Sequence, residues 1–156
     1  MESLVQRKIR CRSNMVEHLK QMNYLSNIPI HEDDLLSIEK TDFIFKEYKE
    51  NNFRSSKILF EFDSSIIRKI KDELLEFDFS FYLISEFSFD SGLLFIETVN
   101  QFNSAFDFFN LGFYRVSLLE TNLENEITFW EEDNNELEIE IKGDFFINHF
   151  MDKLSQ

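Results

Sequence analysis

Glycine is scarce in this sequence, and the three present stand apart at positions 92, 112 and 143. Phosphate-binding loops need clustered glycines so that backbone N–H groups can approach the ligand; a Walker loop and a dinucleotide fingerprint are therefore excluded. There is no G-x-S-x-G nucleophile elbow. With one proline in the chain, turns fall to Asn, Asp and Ser. The one cysteine, Cys11, can form no internal disulfide, which fits a reducing compartment. His18, His31 and His149 have no ligand spacing with one another or with Cys11. His18 is two helical turns from Cys11, roughly 10 Å along an α-helix, too far to serve as base to a thiol nucleophile. No metal and no cofactor are expected.

Long apolar runs are also missing. No stretch reaches the roughly 20 residues needed to span a bilayer. The first residues, MESLVQRKIRCRSNMVEHL, lack the apolar core of a signal peptide. A single domain over residues 1–156 in the cytoplasm is the expectation.

Phenylalanine and carboxylates are abundant. Twenty Phe residues imply a core filled by large flat rings. The net charge is −14, and it is unevenly placed. Residues 1–25 hold five Lys and Arg against two acids, whereas residues 76–141 hold one cation, Arg115, against fifteen acids. Such a field repels nucleic acid and anionic membrane and attracts basic proteins. It also serves plain solubility.

Periodicity predicts an amphipathic helix over residues 3–23, with Leu4, Ile9, Val16, Leu19 and Met22 as its apolar face. A second helix is expected over 33–50, opened by Asp33 or Asp34 and partly irregular. A third is expected from Asp63 or Ser64 to about Glu76. Lys57–Phe62 fits either a short strand or a helix lead-in. Beyond this the period changes to two, giving a strand over 77–83, a turn at Asp90-Ser91-Gly92, and a central strand at Leu93–Ile96 with both faces apolar. A connecting helix over 100–110, with Phe102, Phe106 and Phe109 inward, leads to a strand at Phe113–Leu119. A helix over Asp144–Leu154 closes the chain. The fold class is α+β: N-terminal helices, then a mainly antiparallel sheet of about five strands with an inserted short helix and a C-terminal helix.

The hairpin of residues 126–141 is the clearest unit. A three-residue loop, Asp133-Asn134-Asn135, pairs Ile127 with Ile141, Phe129 with Ile139 and Glu131 with Leu137, so the apolar residues share one face. A two-residue loop would mix the faces. Asn135 is then the residue expected in the left-handed region. On the other face, Thr128 lies opposite Glu140, Trp130 opposite Glu138, and Glu132 opposite Glu136, with Glu126 on the same face. Opposed like charges cost roughly 0.2–1 kcal/mol per pair, and the sequence offers these glutamates no visible Lys or Arg. A partner could supply the countercharge. Trp130, the only tryptophan, is the residue type most enriched at binding hot spots. The competing expectation is that Trp130 packs under a helix, with the glutamates solvated around it. The partner-binding residues expected are Trp130, Glu126, Thr128, Glu132, Glu136, Glu138 and Glu140. Glu131, Glu132 and Asp133 crowd a solvated hairpin end rather than a desolvating cleft, so no catalytic residue is assigned.

The basic amphipathic N-terminal segment, the EFSFDSGLLFIE stretch and the EITFWEEDNNELEIEIKG hairpin together resemble the immunity proteins of bacterial polymorphic-toxin systems, including contact-dependent growth inhibition. The resemblance implies a non-catalytic cytosolic protein that binds a cognate toxin, often a nuclease, with no direct binding of nucleic acid or membrane. A nuclease's basic groove suits an acidic sheet acting as a nucleic-acid surrogate. A phage-type acidic inhibitor of a nucleic-acid-binding protein and an adaptor subunit of a larger assembly fit the same charge.

Overall fold

The computed structural model describes residues 2–51, 53–61, 63–108 and 112–154. Among the described residues five α-helices and six strands follow in the order α1 (Leu4–Leu25), α2 (Ile38–Glu50), β1 (Ser55–Glu61), α3 (Ser64–Leu74), β2 (Phe81–Ile84), α4 (Ser88–Ser91), β3 (Leu94–Ile96), β4 (Arg115–Glu120), β5 (Glu126–Glu132), β6 (Glu136–Lys142) and α5 (Asp144–Leu154). The strands form one antiparallel sheet in the order β1-β6-β5-β4-β2-β3. The fold is α+β with N-terminal helices and a C-terminal helix, as expected. Residues 57–61 of the undecided 57–62 segment lie in the sixth strand, β1, and Phe62 lies outside the described residues.

One face of the sheet carries the core. Ile58, Phe129, Ile139, Val116, Leu118, Leu83 and Ile96 line it, beneath Ile67, Ile70 and Leu74 of α3, Phe146 and Phe150 of α5, and Met22 and Leu25 of α1. Phenylalanines fill the remaining space: Phe102 stacks on Phe129 at 6.5 Å, and Phe106 meets Phe129 edge-on at 6.1 Å. Helix α2 covers only part of the opposite face, where Ile44 packs with Ile84, Leu93 and Leu119. Tyr48 of α2 reaches the buried Glu126 on the β1-β6-β5 half of that face, which opens towards the hairpin tip, where Glu132 is exposed.

Helix α1 starts where Ser3 and Gln6 cap each other reciprocally, side chain to backbone N–H. Of the expected apolar face, Met22 is buried and Leu19 packs against the core, but the rest turns outward. Leu4, Ile9 and Val16 point outward and are exposed, whereas Arg7, His18 and Gln21 are buried with Met15, Met22 and Leu25. The reason lies in the chain it packs against. Helix α4 is a single turn whose final carbonyls have no helical partner. Arg7 donates to the carbonyls of Phe89 and Asp90 and to Asp42, and His18 donates to the Gly92 carbonyl at 2.7 Å. Satisfying these buried acceptors outweighs burial of a few aliphatic side chains.

Other boundaries differ for similarly local reasons. The 33–50 helix begins late: a 3-10 turn occupies Glu32–Asp34, and Ser37 caps α2 through Lys40 N–H. The 77–83 strand is shortened to 81–84, because Phe77 and Phe79 stack on each other and against Phe145 of α5 instead of joining the ladder. The turn at 90–92 is the end of α4. The 93–96 strand is an edge, not a centre. It is apolar on both faces because the core lies on one side and the α2 cluster on the other. In place of the 100–110 helix there is a 3-10 turn at Val99–Gln101 followed by irregular chain to residue 108, held inward by Phe102, Phe106 and Phe108. Phe109 lies outside the described residues. The 126–142 hairpin has the expected three-residue loop and register, with Asn135 at φ 59°.

Candidate functional site

The open face of the sheet consists of four rows of side chains running across the strands. Pairing places Ser55, Lys142, Glu126 and Leu119 in the first row. Lys57, Glu140, Thr128 and Ser117 make the second, and Leu59, Glu138, Trp130 and Arg115 the third. Glu61, Glu136 and Glu132 make the fourth, at the hairpin tip.

The first three rows hold cations that the sequence reading left out. Lys57 of β1 lies 3.6 Å from Glu138 and 3.7 Å from Glu140. Lys142 lies 3.6 Å from Glu140 and 3.7 Å from Glu126. Arg115 lies 3.7 Å from Glu126, and its guanidinium sits 5.3 Å from the centroid of the Trp130 ring. The expected absence of intramolecular countercharge is thus corrected for Glu126, Glu138 and Glu140: β1, β4 and the end of β6 bring it. The signal was present in the alternation itself, since Lys142 continues the outward positions Glu136, Glu138 and Glu140 by one step. Lys57 was hidden because its segment could not be assigned, and Arg115 because strand order is not readable from spacing.

Burial sorts the expected binding residues further. Glu126 is fully buried and Thr128 nearly so, so neither presents a surface to a partner, which corrects their assignment as contact residues. Glu126 accepts a hydrogen bond from the Tyr48 hydroxyl of α2 at 3.0 Å. Burial, then the adjacent carboxylate, push the Tyr48 phenol far above its ordinary pKa, so it stays a donor. Thr128 shares a hydrogen bond with Ser117 at 2.8 Å. These two residues are a floor that fixes the layer above them. Trp130 is half-buried under Arg115. Helix α5, which could have covered it, packs on the opposite face with Phe146 and Phe150 in the core.

The fourth row is different. Glu61, Glu136 and Glu132 are directly opposed across three adjacent strands, and Glu131 and Asp133 adjoin them at the loop. Among the described residues none of these five carboxylates has an ion-pair partner. Glu132 and Asp133 are exposed, and Glu131 and Glu136 half-exposed. Glu61 was not among the expected residues, because its strand was unassigned.

Elsewhere, a cleft of about 590 Å³ between α1 and α2 is lined by Arg7, Arg10, Asp42, Lys46, Lys49 and Phe89. Two of its acids face arginines, in the Arg7–Asp42 pair at 2.9 Å and the Arg10–Glu2 pair at 2.6 Å. Cys11 is half-buried, and burial pushes its thiol up, away from the reactive thiolate. Among the described residues no cluster of three His, Cys, Asp or Glu side chains could hold a metal ion, and no helix is long and apolar enough to cross a membrane. No protein-family model, curated protein or solved structure matches the chain.

Proposed function

We propose that this chain is a non-catalytic immunity protein of the cytoplasm, which binds a basic toxin domain, of nuclease type, and neutralises it through the acidic tip of its β1-β6-β5 sheet. One observation supports this reading above the others: the row Glu61, Glu136 and Glu132, opposed across three strands and without an ion-pair partner among the described residues. In the other three rows Lys57, Lys142 and Arg115 neutralise the glutamates. A fold that balances charge so closely in three rows and not in the fourth keeps a repulsion of roughly 0.2–1 kcal/mol per opposed pair. A cationic surface docking on the tip removes it. Trp130, half-exposed in the adjacent row, supplies a rigid apolar contact with a polar edge.

The test is capture of a basic protein by the tagged chain from cells of its source, followed by association kinetics with the captured partner. Glu132→Gln with Glu136→Gln is expected to slow association several-fold at low salt while leaving the fold intact, because charge at an interface rim acts on the encounter rate. An association rate unchanged by the double substitution refutes the role of the tip.

A further inference from the structure

The two edges of the sheet are treated differently. At β3, residues 35–36 cover the edge: Leu35 bridges to Leu94, and Leu36 N–H donates to the Leu93 carbonyl at 2.9 Å. At β1 nothing comparable is seen among the described residues. The direction of its free groups can be worked out. Gly143 N–H donates to the Arg54 carbonyl at 3.0 Å, so the pairs Ser56–Ile141, Ile58–Ile139 and Phe60–Leu137 are those bonded to β6, in alternation with that contact. The N–H and C=O groups of Ser55, Lys57, Leu59 and Glu61 therefore point away from the sheet. A seven-residue edge of this kind is a template for another strand. It also carries Leu59, which is 55% exposed in the middle of the strand.

We infer that β1 pairs with β1 of a second copy, antiparallel about a two-fold axis at Leu59, to make one continuous sheet through a homodimer. The strand's own sequence argues for this occupant. With Leu59 opposite Leu59 of the second copy, Lys57 falls opposite Glu61 on the same face, and Glu61 opposite Lys57. On the core face Ile58 meets Phe60 and Phe60 meets Ile58, both only half-buried in the single chain. Shifting the register by one allowed step sets Lys57 against Leu59 or Leu59 against Glu61 and loses the charge match. In the matched register the pairs Lys57–Glu61, Leu59–Leu59 and Glu61–Lys57 each exchange two backbone hydrogen bonds, about six in all. The edge itself is neutral, with one lysine and one glutamate, in a chain of net charge −14. It is thus a place where two acidic copies can meet without opposing like charges across the seam. The closed two-fold contact uses up both edges, so it ends at two copies instead of growing into a fibre.

Sedimentation velocity of the full chain at high micromolar concentration tests the pairing. The expected mass is that of two copies of 18.8 kDa. Leu59→Lys places two ammonium groups at the two-fold, and Glu61→Lys opposes lysine to lysine. Each is expected to give the single-copy mass with an unchanged circular dichroism spectrum, since both side chains are exposed and neither has an ion-pair partner among the described residues. Adding Lys57→Glu to Glu61→Lys restores the charge match and is expected to restore the dimer. A wild-type chain sedimenting at single-copy mass overturns the inference, and so does a dimer that survives both single substitutions. The toxin test uses Glu132 and Glu136, which lie outside this register, so either result can fail without the other.

Discussion

Replacing Glu136 with lysine should stabilise the protein, and the size of the gain follows from the pairing. Glu136 lies between Glu61 of β1 and Glu132 of β5, so the substitution turns two repulsive cross-strand pairs into attractive ones. At roughly 0.2–1 kcal/mol per pair, the gain is about 0.5–2 kcal/mol. For a domain of this size each kcal/mol moves the thermal midpoint by about 2–4 °C, so a rise of a few degrees is expected. Urea unfolding followed through Trp130 fluorescence at low ionic strength gives the free energy directly, with an unchanged denaturant slope showing that the folded and unfolded states keep their extent. In about 0.5 M salt, where screening reaches only some 4 Å, most of the gain should vanish. Lys57→Gln is the control of opposite sign. It removes the cation between Glu138 and Glu140 and should cost up to about 1 kcal/mol, as exposed pairs do. If Glu136→Lys destabilises the protein, or both substitutions shift stability in the same direction, the reading of the tip as uncompensated and its neighbouring rows as compensated is wrong. Under the proposed function the lysine variant should also bind a basic partner more weakly, so that a gain in stability accompanies a loss of binding.

Other consequences are as direct. Gly143→Ala should lower stability by about 1–3 kcal/mol, because φ is +96° there and an added Cβ would collide with the Glu124 carbonyl and the Asn125 side chain; an unchanged urea midpoint would contradict this geometry. Phe129→Ala should cost about 3–5 kcal/mol, since the ring is fully buried between Phe102 and Phe106, and thermal unfolding will show it. Burial lowers the His18 imidazole from its ordinary pKa of 6.5. The unfolded chain therefore binds more protons between that value and the lower folded one, so stability rises with pH through that window and is lost as pH falls below about 6.5. His18→Gln, whose amide can still donate to Gly92, should flatten the slope, and equal slopes in the two proteins would exclude His18 as its source. Arg115→Ala should red-shift Trp130 emission and cost less than the roughly 3–5 kcal/mol of a broken buried pair, because Lys142 and Tyr48 still attend Glu126; an unchanged spectrum would show that Arg115 does not cover the ring.

The sequence was most legible where one rule acted alone. In the 126–142 hairpin, alternation and loop length admit one register with the apolar residues together, and the chain adopts it. The α3 helix was equally plain, since Asp63 caps it and its apolar residues share a stripe. Misreadings came where a distant partner changed the local balance. Nothing in residues 3–23 shows that Arg7 and His18 will be needed by carbonyls at 89, 90 and 92, so Leu4, Ile9 and Val16 are expected inward and face out, while Leu19 and Met22 pack as expected. The pattern at 93–96 gives no sign that residues 35–36 cover its outer edge while Ile44 of α2 packs on its second face. For the site, the row composition of the hairpin was readable, but the cations that neutralise three rows arrive partly from β1 and β4, whose places in the sheet spacing cannot reveal.

The position of β1 next to β6 also orders the events of folding. Ile58 and Ile139 pair although about 80 residues separate them, whereas β5 and β6 are joined by three residues. Closing the short loop costs far less chain entropy, and closing the long one is worthwhile only once the intervening residues have become compact. The hairpin should therefore be formed in the folding transition state and β1 added afterwards. Substitutions in β1, such as Ile58→Val, should mainly speed unfolding, and those in the hairpin, such as Ile139→Val, should mainly slow folding. Until β6 has been synthesised, the Ser55–Glu61 segment has no strand of its own chain to join, and it is during that interval that the chain is most open to wrong pairings.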